Sequence, residues 1–281
     1  MDGAMAPTLI SRRRVLRSGL ASLAAGGVPS VEASTGVAIR RTRHPAHFVL
    51  VHGSFHGAWC WYKIVGALEA SGHRATAIDL PSAGIDPTPP AGVDLLSQAE
   101  AVIALLDTLI EPVILVGHSA GGPVISTVAE ARPGKIAKLV YLSAYLLENG
   151  ESIVSMLPQD PDSQVFPHLL PTAGGLFIDL DAARDVFYGT SDDADVALAR
   201  SLLKPVGLLT TGVPVAIGTA FASVRRFYVS CLRDRAVTPA FQRAMYTALP
   251  CERIFTIRSD HSPFFSRPAE LLRILERVAR A

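Results

Sequence analysis

Pro112-Val113-Ile114-Leu115-Val116-Gly117-His118-Ser119-Ala120-Gly121-Gly122 is an apolar run ending in Gly-x-Ser-x-Gly, and the helix-like stretch Val124 to Ala131 follows it. Such a run reads as a buried parallel strand, so the glycine-flanked serine falls on a strand-to-helix turn too tight for side chains at its neighbours. On that turn the hydroxyl of Ser119 projects into a cleft. The helix N-terminus behind it offers N–H groups to developing negative charge. The spacing therefore predicts a nucleophile at Ser119 rather than an ordinary serine in a strand-to-helix loop.

A nucleophilic serine needs a base and a group to orient that base. Downstream, Phe227 to Leu232 reads as another buried strand with Asp234 just past its end, and Ala236-Val237-Thr238-Pro239 then starts a helix. Arg253 to Ile257 reads as the last strand, followed by Asp260-His261-Ser262-Pro263 and an amphipathic segment, Pro268 to Ala281. The order Ser119, Asp234, His261 is the chain order of nucleophile, acid and base in the α/β-hydrolase fold. Asp260 is a rival acid, but a side chain adjacent to His261 reaches that ring's far nitrogen poorly, and a turn or capping role fits it better. His44, His47, His73 and His168 sit in no motif and are expected on the surface or in satisfied sites. His118 occupies the variable position of the turn and is expected to pack. The first strand, His47 to Val51, runs into His52-Gly53-Ser54-Phe55-His56-Gly57-Ala58-Trp59. This glycine-containing loop can aim the Ser54 N–H at the oxygen of a tetrahedral intermediate, with the Ala120 N–H completing an oxyanion hole.

The run His52 to Lys63, then Leu68 to His73, Ala77 to Leu80, Gly117 to Gly122, Leu198 to Pro205, Asp234 with Pro239 to Arg243, and Asp260-His261 resemble the plant methylesterase and hydroxynitrile lyase branch of the α/β-hydrolases. Bacterial carboxylesterases, pyrethroid hydrolases among them, belong to that group. The resemblance covers essentially everything from His47 onward. It implies a triad of Ser119, Asp234 and His261, no metal or organic cofactor, and frequent homodimers. Lyases of the group that use a lysine carry threonine where this chain has Gly53 and lysine where it has Ser262. That lysine stabilises a departing cyanide, so its absence favours hydrolysis.

The chain has 281 residues, 49% of them hydrophobic, enough for one large core that buries roughly three quarters of the unfolded surface. Its net charge is +1. Residues 1–33 hold four arginines and two acids, so the remainder carries 22 basic and 23 acidic side chains and a charge of −1. Neither value suggests nucleic acid or an anionic membrane as partner, and no 18-residue apolar run suggests a spanning helix. Ser11-Arg12-Arg13-Arg14-Val15-Leu16-Arg17 before the mildly apolar Ser18 to Val28 resembles a twin-arginine export signal. Cleavage is expected after Ala33, with Ala38 an alternative, giving a periplasmic or secreted protein; without a working leader it would be cytoplasmic. Three cysteines cannot all pair within one chain, and Cys231 and Cys251 fall at opposite ends of their strands, so free packed thiols are expected.

Between the strand Lys138 to Ser143 and the strand at Phe227 lie some eighty residues that continue no strand–helix alternation. They hold Pro158, Pro161, Pro167, Pro171 and Gly174-Gly175, then helix-like stretches over Asp181 to Phe187 and Asp192 to Leu203. An insertion here stands over the strand ends where ligands bind in open α/β sheets. The expected plan is a leader over residues 1–33, a hydrolase core over 34–146 and 226–281, and a largely helical cap over 147–225. The cap's Met156, Leu157, Phe166, Leu169, Leu176, Phe177, Phe187 and Phe221 are expected to form mainly a small core of their own, with some lining an apolar pocket. The functional expectation is a serine carboxylesterase hydrolysing esters of hydrophobic, aryl or cyclic, carboxylic acids through an acyl-enzyme, with the size of the alcohol group left open. A C–C lyase using the same triad and a non-catalytic ligand binder are the alternatives.

Overall fold

The computed structural model describes residues 45–281. The export leader expected over residues 1–33, and His44, lie outside the described residues. Strands β1 (His47–Val51), β2 (Arg74–Ile78), β3 (Val113–His118), β4 (Ile136–Leu142), β7 (Arg226–Cys231) and β8 (Arg253–Ile257) form one parallel sheet in the order β2-β1-β3-β4-β7-β8. β5 (Leu169–Thr172) and β6 (Gly175–Ile178) form a separate antiparallel hairpin.

All five residues of β1 and all six of β3 are buried, as strands covered on both faces must be. Alternation along β1 sends Phe48 and Leu50 to one face and Val49 and Val51 to the other. On the first face lie α1 (Tyr62–Ala70) and, after the last strand, the C-terminal helix Pro268–Arg280. On the second lie α2 (Leu95–Thr108) and α3 (Gly121–Ala131). β2 carries Arg74 and Thr76 and sits at the sheet's edge, half exposed, which is why no continuous apolar run marks it in the sequence.

β1 pairs with β2 on one side and β3 on the other, Val51 standing opposite Gly117. The chain thus leaves β1 and β3 in different directions, and the crevice between their C-terminal ends is where open α/β sheets bind ligands. The loops holding Ser54 and Ser119 flank that crevice.

The segment between β4 and β7 contains α4 (Ile153–Met156), the β5–β6 hairpin, α5 (Ala183–Phe187), α6 (Asp193–Leu202), α7 (Leu209–Gly212) and α8 (Thr219–Ser223). It is largely helical, as expected, but the hairpin is additional, with Pro171 in its first strand and Gly174-Gly175 at its turn. The segment does not build a core of its own. Ile178, Ala183, Val186 and Phe187 merge with the cluster on one face of the sheet, whereas Ile153, Met156, Val215 and Phe221 merge with the other. Its helices are too short to enclose apolar volume between themselves, so their side chains reach down to the sheet layers instead. After β7 come α9 (Pro239–Ala248), α10 (Pro263–Ser266) and the C-terminal helix, α11. All three cysteines are free thiols, Cys60 and Cys231 fully buried. Among the described residues no helix is long and apolar enough to cross a membrane.

Candidate active site

Ser119 has φ +54, a left-handed conformation rare for a residue with a side chain. The flanking glycines make that turn possible. A Cβ on Gly117 would come within 2.7 Å of the Gly121 carbonyl oxygen, and one on Gly121 within 2.7 Å of the His52 carbonyl oxygen. The strained residue is tied on both sides. Its N–H donates to Leu142 O at 3.3 Å, and its carbonyl accepts from Gly122 N at 3.0 Å and Tyr145 N at 3.1 Å. Ala120 is the N-cap of α3, so the positive end of that helix faces the serine.

His261 lies in the loop after β8 and Asp234 in the loop after β7. His261 Nδ1 is 2.8 Å from Asp234 Oδ2, both side chains being buried. Asp234 also accepts from Gln242 Nε2 at 2.9 Å, Ala236 N at 2.8 Å and Val237 N at 3.0 Å. Burial raises the Asp234 pKa, and the charge and hydrogen bond of His261 with the two N–H groups pull it back down. Because the carboxylate only accepts, Nδ1 of a neutral His261 carries the proton and Nε2 is its basic nitrogen.

Asp260, the rival acid, serves a different end. It is 3% exposed, and its Oδ1 accepts from Ser262 N, Ser266 Oγ and Ser259 Oγ, the turn role expected of it. Its Oδ2 reaches further, accepting from Thr190 N at 2.8 Å and Ser191 Oγ at 3.0 Å. No sequence signal pointed to those long-range partners.

Two histidines absorbed into the first loop as mere motif residues prove to brace it. Leu80 N donates to His52 Nε2 at 3.1 Å, so Nδ1 bears the proton and donates to Gly53 O at 2.8 Å. His56 Nδ1 donates to Ser54 O at 2.8 Å. Burial lowers the pKa of both, that of His56 to about 3, so both are neutral at ordinary pH. His47 and His73 sit in satisfied sites, against Thr76 Oγ1 and Ala46 N, and His168 Nδ1 donates to Gln164 O. His118 packs as expected, fully buried with Nε2 donating to His261 O at 2.9 Å and its ring centroid 4.5 Å from that of His261.

Ser119, His261, Ser54 and Ala120 line one cleft, which encloses about 730 Å³ of free space including its open mouth. Leu157, Phe166, Leu169, Leu176 and Phe187 of the inserted segment form much of its wall, so five of the eight apolar residues singled out there face the cleft. Met156 and Phe221 join the core instead. Tyr145, Ile153 and Val165 are among further wall residues that the sequence did not single out, because nothing in a single sequence marks which face of a short helix or loop turns inward. Among the described residues no Asp, Glu, Lys or Arg lines the cleft. Among the described residues no three His, Cys, Asp or Glu side chains cluster so as to hold a metal ion.

Residues 48–274 match the model of the alpha/beta hydrolase family. The chain belongs to that family. Within it, the similarity runs to the methylesterase-like branch. The chain is 37% identical over 253 residues to putative methylesterase 11, chloroplastic, of Arabidopsis thaliana, covering 83% of this chain and 64% of that one. It thus spans less than two thirds of the length of the first curated relatives it matches, 56% for two other chloroplastic Arabidopsis methylesterases. Among solved structures, a tomato methylketone synthase I variant complexed with β-ketoheptanoate superposes with TM-score 0.77 at 28% identity, covering 84% of this chain and 98% of that one. A pyrethroid hydrolase from Sphingobium faniae superposes with TM-score 0.75 at 26% identity, covering 84% and 98%.

Proposed function

We propose that the protein is a serine carboxylesterase for uncharged, hydrophobic esters. The observation that carries the reading is the buried His261–Asp234 pair opening, with the strained Ser119, onto one apolar cleft. In this reading His261 takes the Ser119 proton as Oγ attacks the ester carbonyl. The Ser54 and Ala120 N–H groups hold the oxyanion, Asp234 orients the imidazole, and His261 returns the proton to the leaving alkoxide. Water then attacks the acyl-enzyme by the same route. An apolar wall without a charged side chain favours small aryl or cyclic acyl groups, each buried CH₂ contributing up to ~0.8 kcal/mol. The methylesterases and the pyrethroid hydrolase among its relatives support ester hydrolysis.

A lyase reading lacks a charge. Ser262 is fully buried with no hydrogen-bond partner for its Oγ among the described residues, and it does not line the cleft. Neither it nor Gly53 supplies a fixed cation to a departing anion. The test is a panel of aryl and alkyl esters beside mandelonitrile and a β-keto acid, for the wild type and Ser119→Ala, after titration with a fluorophosphonate. The expected result is ester turnover that falls at least ~10³-fold in Ser119→Ala, with negligible cyanide release. Cyanide release or decarboxylation without ester turnover refutes the reading. We also propose export through the Arg12-Arg13-Arg14 leader, on the sequence alone.

A further inference from the structure

A short turn of the inserted segment, Phe187 to Ser191, joins α5 to α6 and reaches both halves of the site. Tyr188, fully buried, places its hydroxyl 2.7 Å from His56 Nε2. Because His56 Nδ1 must carry a proton to donate to Ser54 O, Nε2 accepts, and the tyrosine is the donor. Burial raises the Tyr188 pKa well above that of a free phenol, so the hydroxyl keeps its proton. A directed chain of hydrogen bonds therefore runs from Tyr188 O–H through the imidazole to the Ser54 carbonyl.

That carbonyl matters because of where it stands. The Gly53 carbonyl is held by His52, and the Ser54 carbonyl by His56. The Ser54 N–H shares a rigid peptide plane with the Gly53 carbonyl that His52 holds, and His56 holds the next plane through the Ser54 carbonyl, so Ser54 is restrained on both sides of its Cα. The next residue, Phe55, has φ +67, a conformation that relaxes readily unless its neighbours hold it.

Two residues further along the same turn, Thr190 N and Ser191 Oγ donate to Asp260 Oδ2, and Thr190 Oγ1 accepts from Asp260 N at 3.3 Å. Asp260 is the residue before His261, and its other oxygen gathers the N–H of Ser262 on the far side of the imidazole. The Phe187 ring lies 5.7 Å from the His56 ring and 5.7 Å from the His261 ring. The far end of the turn is anchored as well, through buried Asp195 of α6, which accepts from Lys63 Nζ at 2.6 Å and Tyr62 OH at 2.9 Å on α1.

We propose that the Phe187–Ser191 turn is a positioning strap for both halves of the reaction centre, Tyr188 setting the oxyanion loop through His56 while Thr190 and Ser191 set the His261 loop through Asp260. The strap deepens the esterase reading and rests on it. The inserted segment is then part of the positioning apparatus as well as a wall of the pocket.

The test is Tyr188→Phe, which removes one oxygen and keeps the ring. Complete loss of an oxyanion donor costs ~10² to 10³ in kcat, so a loosened one should cost about tenfold, with KM within twofold. Affinity for a trifluoromethyl ketone, which forms a tetrahedral oxyanion on the serine, should fall in parallel. Affinity for an unreactive ether of the same shape should not change. In a His56→Asn background, which keeps a donor for Ser54 O but offers Tyr188 no ring nitrogen, Tyr188→Phe should change kcat less than twofold. For the other arm, Asp260→Asn should lower kcat about tenfold and broaden the downfield proton resonance of the His261–Asp234 pair in a protein with unchanged circular dichroism. A Tyr188→Phe enzyme with wild-type kcat and ketone affinity overturns the proposal, and so does an equal loss from Tyr188→Phe in both backgrounds. If wild-type turnover depends on Ser119 while Tyr188→Phe is silent, the strap alone fails. If wild-type ester turnover is absent, the esterase reading fails and takes the strap with it.

Discussion

Gly53→Ala adds one methyl group where the first loop crosses behind Ser119. A Cβ at Gly53 would lie 2.6 Å from Ser119 Cβ, 3.0 Å from the His118 carbonyl oxygen and 3.1 Å from His118 Nδ1, whereas ordinary contact begins at 3.4 Å. The worst contact is thus about 0.8 Å too close, and no flexible side-chain end can yield to relieve it. Ser119 Cβ and the His118 carbonyl are fixed to the end of β3, and the His118 ring is packed with Nε2 on His261 O. Either the loop carrying Ser54 or the turn carrying Ser119 must move, and a displacement near 1 Å in a reacting group costs on the order of 10²-fold. Overpacking should also destabilise the fold by ~1 to 3 kcal/mol. The expected result is a kcat about 10²-fold lower at nearly unchanged KM, because the cleft wall that binds substrate is untouched. Steady-state kinetics on a p-nitrophenyl ester, normalised to fluorophosphonate-titrated sites, with urea unfolding in parallel, measures both effects. Gly66→Ala is the control. Its Cβ would meet nothing within 4 Å on the exposed face of α1, so it should keep full activity and gain a few tenths to ~1 kcal/mol of stability. A Gly53→Ala enzyme within threefold of wild type would refute the reasoning, since the crowding would then not reach the reacting atoms.

Asp234→Asn should lower kcat by ~10³ to 10⁴ by favouring the wrong imidazole tautomer, far more than Asp260→Asn; the reverse order in a side-by-side kinetic comparison sinks the assignment. Stability should fall with acid. The pKa of His56 is lowered from 6.5 to about 3 in the folded state, so the unfolded chain takes up a proton there first, and stability is lost as pH falls from about 6.5 towards 3. Between pH 7 and pH 5 this histidine alone should remove about 2 kcal/mol, and His52 and His118 act in the same direction; urea unfolding that shows equal stability at both values contradicts it. Replacing Arg12, Arg13 and Arg14 together with lysine should hold the protein in the cytoplasm of the native host. N-terminal sequencing of mature wild-type protein should begin near Ser34, and an intact leader there defeats the export proposal.

The residues that carry the proposed chemistry were legible because they follow the ends of strands, β3 and β7 being buried almost throughout and β8 an edge strand that still keeps Phe255 and Ile257 buried. Such strands appear as apolar runs, and each site residue falls within four positions of a strand end: Ser119 one after β3, Asp234 three after β7, His261 four after β8. The edge strand β2 gave no such run, and the hairpin β5–β6 was masked by Pro171, which belongs in a strand only where no ladder partner needs its N–H. The braces were the least legible part. His52 and His56 show by their spacing that they share a loop, but their roles depend on Leu80 and Tyr188, 28 and 132 residues away. Long-range polar pairs leave no periodicity in a sequence, and buried histidine looks there like any other histidine.

This division has a physical consequence for how the site is built. Ser119, Asp234 and His261 emerge from a sheet whose strands cannot shift register without moving a whole core face, so their separation is set by the sheet. Much of the cleft's apolar wall comes instead from the inserted segment, whose short helices and hairpin rest on the sheet layers without a closed core of their own. Residues such as Phe166, Leu169 and Leu176 are therefore free to differ in size without disturbing the reacting atoms, because the hairpin that carries two of them makes no hydrogen bond to the catalytic loops among the described residues. Other stretches of the segment are bonded to those loops: Gln164 N donates to Arg235 O and Ser163 Oγ to Ala236 O beside Asp234, Lys204 N donates to Phe55 O beside Ser54, and the Phe187–Ser191 turn is tied to two of the loops at once. Through His56 and Asp260 that turn is bonded to the loops carrying Ser54 and His261, so changes in pocket shape are tolerable on the hairpin and constrained where α5 passes into α6, at residues 160–164 and at Lys204. Shape and chemistry are separable on the hairpin and coupled wherever the inserted segment is bonded to the loops that carry Ser54, Asp234 and His261.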